Sequence, residues 1–332
     1  MSTTAPTSTT TMRAIVQDTY GSADQLRLGR IARPEIADDE VLVRVHAAGL
    51  DRGTWHLMTG RPYVMRLFMG MRGPRQPVIG IDVAGTVVAL GSAVRRFSPG
   101  DEVFGIARGS FAEYAAARED KLARKPAELT WEQAAVVPVS ALTAVQALTD
   151  VGHVEAGHQV LVIGASGGVG SYAVQLAKAF GAEVTGVCSR AKLDLVRSLG
   201  ADHVIDYTQE DFAAGTRRYD LILDIGGNPS LSRLRRALTP RGTAVIVGGE
   251  NGGQLTGMSR QLRALALSPF LRQRLTMFVC KQTAADLERL TELIVTGKVT
   301  PSIDRVASLE QVPDAMRDLD AGKVRGKIAV NV

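Results

Sequence analysis

The 332-residue sequence predicts an α/β chain in two parts, an irregular β-rich domain and a doubly wound parallel-sheet domain. Three observations carry the prediction. Residues 12–128 hold short β-prone runs divided by Gly, Pro and Asp signals. From residue 129 onward, strand-like and helix-like stretches alternate, as a parallel sheet covered on both faces requires. Within that alternation lies a glycine-rich loop between a strand and a helix.

Taken in order, residues 1–11 (MSTTAPTSTTT) are polar and of low complexity and are expected to be a disordered tail. They lack the basic and apolar blocks of a signal peptide, so the expected compartment is the cytoplasm. MRAIVQ opens the first strand. In VLVRVHA, Val41, Val43 and Val45 alternate with Arg44 and His46, the pattern of a half-buried strand. VIGIDVAGTVVAL and DEVFGIA are further strands, and Ser98-Pro99-Gly100-Asp101 is a turn. LTWEQAAVVPVSALTAVQALTD is helical with a break at Pro138.

Then come strand QVLVIGA, helix GSYAVQLAKAFG, strand EVTGVC, helix AKLDLVRSLG, strands HVIDY and YDLILDIG, helix LSRLRRALTP and strand GTAVIVGG. The runs VLVI and AVIV are continuously apolar, as strands buried on both faces should be. Helix AADLERLTELIVTG, a polar link with Pro301, helix LEQVPDAMRDLDAG and strand KIAVNV follow. They are too few for a third domain and are expected to return to the first. The predicted division is a tail at 1–11, a first domain at 12–128 completed by 285–332, and a nucleotide domain at 129–284.

Composition narrows the function. Hydrophobic residues at 45% and charged residues at 22% are ordinary for a soluble globular protein, and no apolar run is long enough to span a membrane. Cys188 and Cys280 are too few for a four-thiolate zinc site or a disulfide framework and read as small buried apolar residues. The formal charge is +5, but the cations are dispersed and no nucleic-acid signature accompanies them. An anionic cofactor would draw on a few of them.

The loop Gly164-Ala165-Ser166-Gly167-Gly168-Val169-Gly170 supplies that cofactor's site. Glycines let backbone approach a pyrophosphate, and the following helix offers free N–H groups and a positive dipole end. The end of the next strand identifies the cofactor. An acid about 20 residues on would hold an unphosphorylated ribose. Here the stretch holds Ser189, Arg190 and Lys192, with no acid before Asp194. A hydroxyl and two cations suit a 2′-phosphate, so NADPH is predicted over NADH. Cations at a helix start also oppose its dipole, which favours an anionic partner there.

With this loop in place, the chain resembles the medium-chain dehydrogenase/reductase superfamily, most closely its zinc-free quinone oxidoreductase branch, from about residue 12 to the C-terminus. The resemblance rests on Gly80–Gly85 with Pro99-Gly100-Asp101, on FAEYA at 111–115, ALTAVQAL at 141–148, ASGGVG, LGADHVIDY at 199–207 and AGKVRGKIAV. It implies a GroES-like catalytic domain interrupted by a Rossmann domain. It also implies that Ser189, Lys192 and Tyr207 surround a 2′-phosphate, that Thr143 lies near the nicotinamide half, and that Gly248 and Gly249 pass close to it. In zinc-dependent relatives, the positions of Ile81 and Asp82 carry His and Glu, and that of Asp51 carries a metal-binding Cys. Ile81 cannot ligate, so no metal is expected. Asp82 becomes a structural acid, expected to pair with a cation such as Arg52.

Without a Lewis acid an alcohol is hard to oxidise, whereas an electrophilic quinone or α,β-unsaturated carbonyl asks less of the protein. The expected reaction is hydride transfer from NADPH to such a substrate. Candidates for proton donation or oxyanion stabilisation are His56, Tyr63 and Arg52, with Asp51 placed to hold a ribose hydroxyl or orient His56. The Met-, Phe- and Arg-rich segments 61–77 and 257–275 read as lids or contact surfaces rather than inserted membrane helices. LTMFVC at 275–280 is expected to add an edge strand to the sheet of a homodimer. The competing readings are a non-catalytic NADPH-binding sensor and a zinc-type alcohol dehydrogenase.

Overall fold

The computed structural model describes residues 10–248 and 258–332. Strand β1 (Thr11–Val16) pairs antiparallel with β2 (Arg27–Ala32). β2 is exposed or half-exposed throughout, so no apolar alternation marks it in the sequence. Next come β3 (Glu40–Leu50), helix α1 (Arg52–Thr59), the single-turn α2 (Arg66–Met69), β4 (Asp82–Leu90), β5 (Glu102–Ile106), β6 (Tyr114–Arg118) and β7 (Leu122–Arg124). On β3, Val41, Val43 and Val45 are buried while Arg44 is exposed, as the alternation predicts.

The second region opens with α3 (Trp131–Ala135), whose Thr130 and Gln133 satisfy each other's backbone N–H groups in a capping box. Pro138 stands in the first turn of α4 (Pro138–Gln146), where its missing N–H costs nothing. The predicted break is therefore a helix start. Then follow β8 (Gln159–Ile163), α5 (Gly168–Ala179), β9 (Glu183–Cys188), α6 (Leu193–Ser198), β10 (His203–Asp206), β11 (Tyr219–Asp224), α7 (Leu231–Ala237), β12 (Leu238–Ile246), α8 (Ser259–Leu267) and β13 (Arg274–Met277). The helix predicted to run to Pro240 stops at Ala237, because a proline biases the residue before it toward extended backbone.

Among the described residues, these strands form a six-stranded parallel sheet in the order β10-β9-β8-β11-β12-β13. The order reverses between β8 and β11, which makes a crevice beyond their C-terminal ends. The last elements are α9 (Ala284–Val295), β14 (Ile303–Ser308), α10 (Val312–Asp320) and β15 (Lys327–Asn331). The sequence suggested only a polar link where β14 lies, since Asp304, Arg305 and Val306 are exposed there. β15 pairs antiparallel with the end of β3, so the C-terminus completes the first sheet.

Asp82 opens β4 and Lys327 opens β15, and the two flank the end of β3. Lys327 Nζ lies 3.2 Å from Asp82 Oδ2, with the side chains 1% and 0% exposed. Asp82 Oδ1 accepts a hydrogen bond from Val139 N at 2.9 Å, in the first turn of α4, which has no side-chain cap of its own. The expected partner, Arg52, turns outward instead: it pairs with Asp320 at 3.6 Å and lies over the Trp55 ring. Burial pushes the Asp82 carboxyl up to about 8, against the pull of Lys327 and with a further push from Asp51.

Two consequences can be measured by chemical denaturation. Lys327→Met alone should lower the unfolding free energy by about 1–3 kcal/mol, because it leaves the buried Asp82 carboxyl without its side-chain partner. Combining it with Asp82→Asn, which keeps an acceptor for Val139 N, should recover most of that loss. The folded pKa of Asp82 lies above its ordinary value, so its contribution is full below pH 4 and is lost as pH rises toward 8. The double variant should lack this decline, and an identical pH slope in both proteins would contradict the assignment.

Candidate functional site: a glycine-lined crevice at the sheet's switch point

The crevice between β8 and β11 is shaped by glycines. Gly164 has φ +86, and a Cβ there would sit 2.7 Å from Gly226 N beyond β11. Gly170 brings α5 so close that a Cβ would lie 2.1 Å from Gly164 O, and at Gly248 it would lie 1.9 Å from Ile225 O. Gly164 and Ala165 donate their N–H groups to Val187 O, while Ile225 and Gly226 donate to Ile163 O. The loops thereby fold back on the neighbouring strands.

No side chain caps α5 at Gly167, and its first-turn N–H groups face the crevice mouth without intrahelical acceptors. Ser166 is buried, Val169 is half-buried, and Gly168 packs over Ser140 and the Lys327 stem. These features fit the pyrophosphate of a dinucleotide. Gly249 lies outside the described residues.

At the end of β9, Ser189 precedes a 3₁₀ turn (Arg190–Lys192) and leaves its hydroxyl unused as a cap. Arg190 is exposed, and Tyr207 is 63% exposed with its backbone N–H on Cys188 O. Lys192 Nζ donates to Gly322 O and Val324 O, both at 2.7 Å, so it is already tied to the loop before β15. No local motif marks this tie, because it joins segments 130 positions apart in the chain.

In the first sheet's region, Asp51 caps α1: its Oδ1 accepts from Thr54 N at 2.7 Å. Its Oδ2 is buried and has no partner among the described residues, as do Thr54 Oγ1 and Trp55 Nε1 in the same helical turn. His56 Nδ1 lies 2.6 Å from Arg61 O, which can only accept, so Nδ1 carries the proton of this hydrogen bond. Asp51 therefore does not orient His56; the Arg61 carbonyl does. Tyr63 is half-buried under the Arg66 guanidinium. Thr143 donates to Val139 O at 2.7 Å, beside the residue that anchors Asp82.

Two features escaped the sequence reading. Arg260, on α8, forms a buried ion pair with Asp224 at the end of β11 and also donates to Pro229 O at 3.0 Å. It gathers the segments after β11 and β12 around the crevice. Burial pushes the Asp224 carboxyl up, against Arg260. A carboxylate closing an apolar strand was the available signal. Cys280, expected to be buried, is only partly so; burial still raises its thiol to about 11, against a contact with Thr143.

The donor set does not fit zinc. Ile81 offers no ligand, Asp82 is occupied by Val139 and Lys327, and Asp51 Oδ1 is committed to α1. Among the described residues, no group of three or more His, Cys, Asp or Glu side chains could hold a metal.

Comparison with known proteins agrees with this architecture. The family described as "Alcohol dehydrogenase GroES-like domain" matches residues 37–127, and "Zinc-binding dehydrogenase" matches residues 199–330. The chain is 34% identical to the Mus musculus "NAD(P)H oxidoreductase RTN4IP1, mitochondrial", covering 100% of this chain and 92% of that protein. It is 35% identical to the Arabidopsis thaliana "NADPH-dependent alkenal/one oxidoreductase, chloroplastic", covering 96% and 79%. The structure of the quinone oxidoreductase from Coxiella burnetii superposes with a TM-score of 0.86 at 29% identity, covering 97% of this chain and 100% of that one.

The glycines separate structural from ligand-facing roles. Gly170→Ala should destabilise the protein by about 1–3 kcal/mol, since its Cβ meets backbone that cannot move away. Gly167 has φ −88 and only Gly164 O, 3.5 Å away, near its Cβ position. Gly167→Ala should therefore leave the melting temperature unchanged while weakening NADPH binding, read by cofactor fluorescence. Unchanged binding would remove Gly167 from the cofactor site.

Proposed function

The chain belongs to the medium-chain dehydrogenase/reductase superfamily, in its quinone oxidoreductase branch, and from that membership we propose an NADPH-dependent, zinc-independent reductase of quinones or α,β-unsaturated carbonyls. The observation that carries the reading is the glycine-lined crevice at the switch point, with hydroxyl and cationic residues at one end and the α1 turn of Asp51 to His56 as the substrate end. When bound, NADPH supplies the hydride. Gly164, Ser166, Gly167, Gly168, Val169 and Gly170 hold its pyrophosphate in this reading, and Ser189, Arg190, Lys192 and Tyr207 its adenosine end. Thr143, Gly248 and Gly249 border the nicotinamide half.

His56 is assigned the proton that follows hydride transfer, delivered from Nε2 while Arg61 O fixes the ring. Tyr63 polarises the substrate oxygen, Arg52 joins it only by leaving Asp320, and Asp51 Oδ2 takes a cofactor hydroxyl, which would satisfy a buried acceptor. The segment 61–77, exposed at Leu67, Phe68 and Met71, serves as a lid over an apolar substrate. Residues 12–128 and 285–332 form the catalytic domain of this reading, and 129–284 the cofactor domain. β13 lies on the edge of the parallel sheet, where a second copy would extend it into a homodimer. No described helix is long and apolar enough to cross a membrane. Cytoplasmic residence belongs to the same proposal and is supported by two free thiols, which fit a reducing compartment.

The test is a panel of quinones, enals, enones and alcohols followed by NADPH absorbance. Turnover of the electrophilic substrates but not the alcohols is expected. NADPH binding without any turnover would favour a binding protein, and zinc-dependent alcohol oxidation would favour the zinc-type enzyme. His56→Ala should lower kcat by about 10²–10⁴-fold with NADPH affinity unchanged. An unaltered kcat would leave the proton to solvent.

A further inference from the structure

The net positive charge of the chain is gathered in one stretch. Residues 226–285 hold nine of the 39 Lys and Arg residues but one of the 34 Asp and Glu residues, a formal charge of +8 against +5 for the whole chain. Helices α7 and α8 lie within this stretch. Leu234 and Ala237 of α7 and Ala264 of α8 share a core with Leu161, Ile222 and Leu275 of the strands, so both helices cover one face of the parallel sheet.

Helix α8 is turned inside out. Its inward residues are polar or small: Arg260 pairs with the buried Asp224, Gln261 is buried, and Ala264 enters the core. Its leucines point away, Leu262 being 55% exposed and Leu265 and Leu267 42% each. Phe270, in the turn that follows, is 86% exposed. A roll of the helix that buried the leucines would pull Arg260 from Asp224 and leave a buried acid alone, so the ion pair holds the apolar side outward. Cations border that side. Arg263 lies on α8 and Arg272 follows Phe270, and both are exposed. Gln273 accepts from Arg235 Nε at 3.3 Å and donates to Arg235 O at 2.9 Å, which brings the exposed Arg235 and Arg236 at the end of α7 beside this turn. None of these four arginines has an ion-pair partner among the described residues, whereas Arg233 on α7 pairs with Asp211.

Apolar side chains bordered by unpaired cations match a surface that is anionic outside and apolar beneath. We propose that the outer side of α8 and the turn after it dock on an anionic lipid bilayer, the leucines and Phe270 entering the headgroup boundary and the arginines meeting lipid phosphates. Helix α8 has nine residues, far short of a span, so the docking is peripheral. A second copy is the poorer occupant. A two-fold contact on this side would set its arginines against themselves, and pairing along β13 uses the strand edge instead. Nucleic acid would engage the arginines and leave the exposed leucines and Phe270 without a role. The proposal is independent of the NADPH reading.

The experiment floats the full chain with vesicles of phosphatidylcholine, alone or mixed with phosphatidylserine, at low and high salt. Binding to the mixed vesicles is expected, weakened by salt and about 10-fold or more weaker without phosphatidylserine. Leu265→Ser with Phe270→Ser should weaken binding to the mixed vesicles by about 10-fold or more, and so should Arg263→Gln with Arg272→Gln. All four positions are exposed, so both variants should keep the wild-type melting temperature. No binding to the mixed vesicles would overturn the proposal. Binding that the serine variant leaves unchanged would make the patch a site for any polyanion and overturn it too. A dimer that the serine variant dissociates in analytical ultracentrifugation, with no vesicle binding by the wild type, would assign the patch to a second copy instead.

Discussion

Asp82 and Lys327 are 245 positions apart in sequence, yet they close the same end of the first sheet. Each would be costly alone in that interior, and each is tolerable because the other is present. The pair does more than neutralise charge. Asp82 holds the N-terminal turn of α4 through Val139, while the Lys327 stem passes beneath Gly168 at the start of α5. One carboxylate therefore relates the β-rich sheet, helix α4 and, through Lys327, the glycine-rich loop at the start of α5. The crevice depends on this relation, because its two ends are contributed by different sheets.

Glycine and charge divide the labour inside the crevice. The glycines set how near backbone can come to a ligand, a steric constraint that no side chain can imitate. Charged side chains set where the loops lie: Arg260 with Asp224 at the end of β11, and Lys192 with the carbonyls of the loop before β15. Arg260 and Lys192 bridge elements that the sequence separates, and both are spent on organisation before any ligand arrives. In the first turn of α1, polar atoms of Asp51, Thr54 and Trp55 are buried without partners among the described residues.

Much of this was legible in the sequence because the relevant signals are local. The phosphate loop announces itself through Gly164, Gly167, Gly168 and Gly170, and the doubly covered strands through VLVI and AVIV. Strands β2 and β14 left no such trace: their residues are largely exposed, so burial imposes no alternation on them. Pairings were the least legible. Arg52 seemed the natural partner for Asp82, being nearer in sequence, but the fold brings β15 alongside β3 and puts Lys327 there instead. The role of Lys192 was half visible: its charge could be read, but not the carbonyls that occupy it.

The return of β15 to β3 also orders events during synthesis. Residues 303–331 must leave the ribosome before the first sheet can close, because β14 and β15 are part of it. The parallel sheet of β8 to β13 has no such debt to distant strands and can assemble while the C-terminus is still being made. Until then the edge of β3 that β15 will pair stands open, and the carboxylate of Asp82 waits for Lys327. A chain arrested before Lys327 would thus carry a formed nucleotide fold attached to an unfinished sheet, a natural substrate for chaperones.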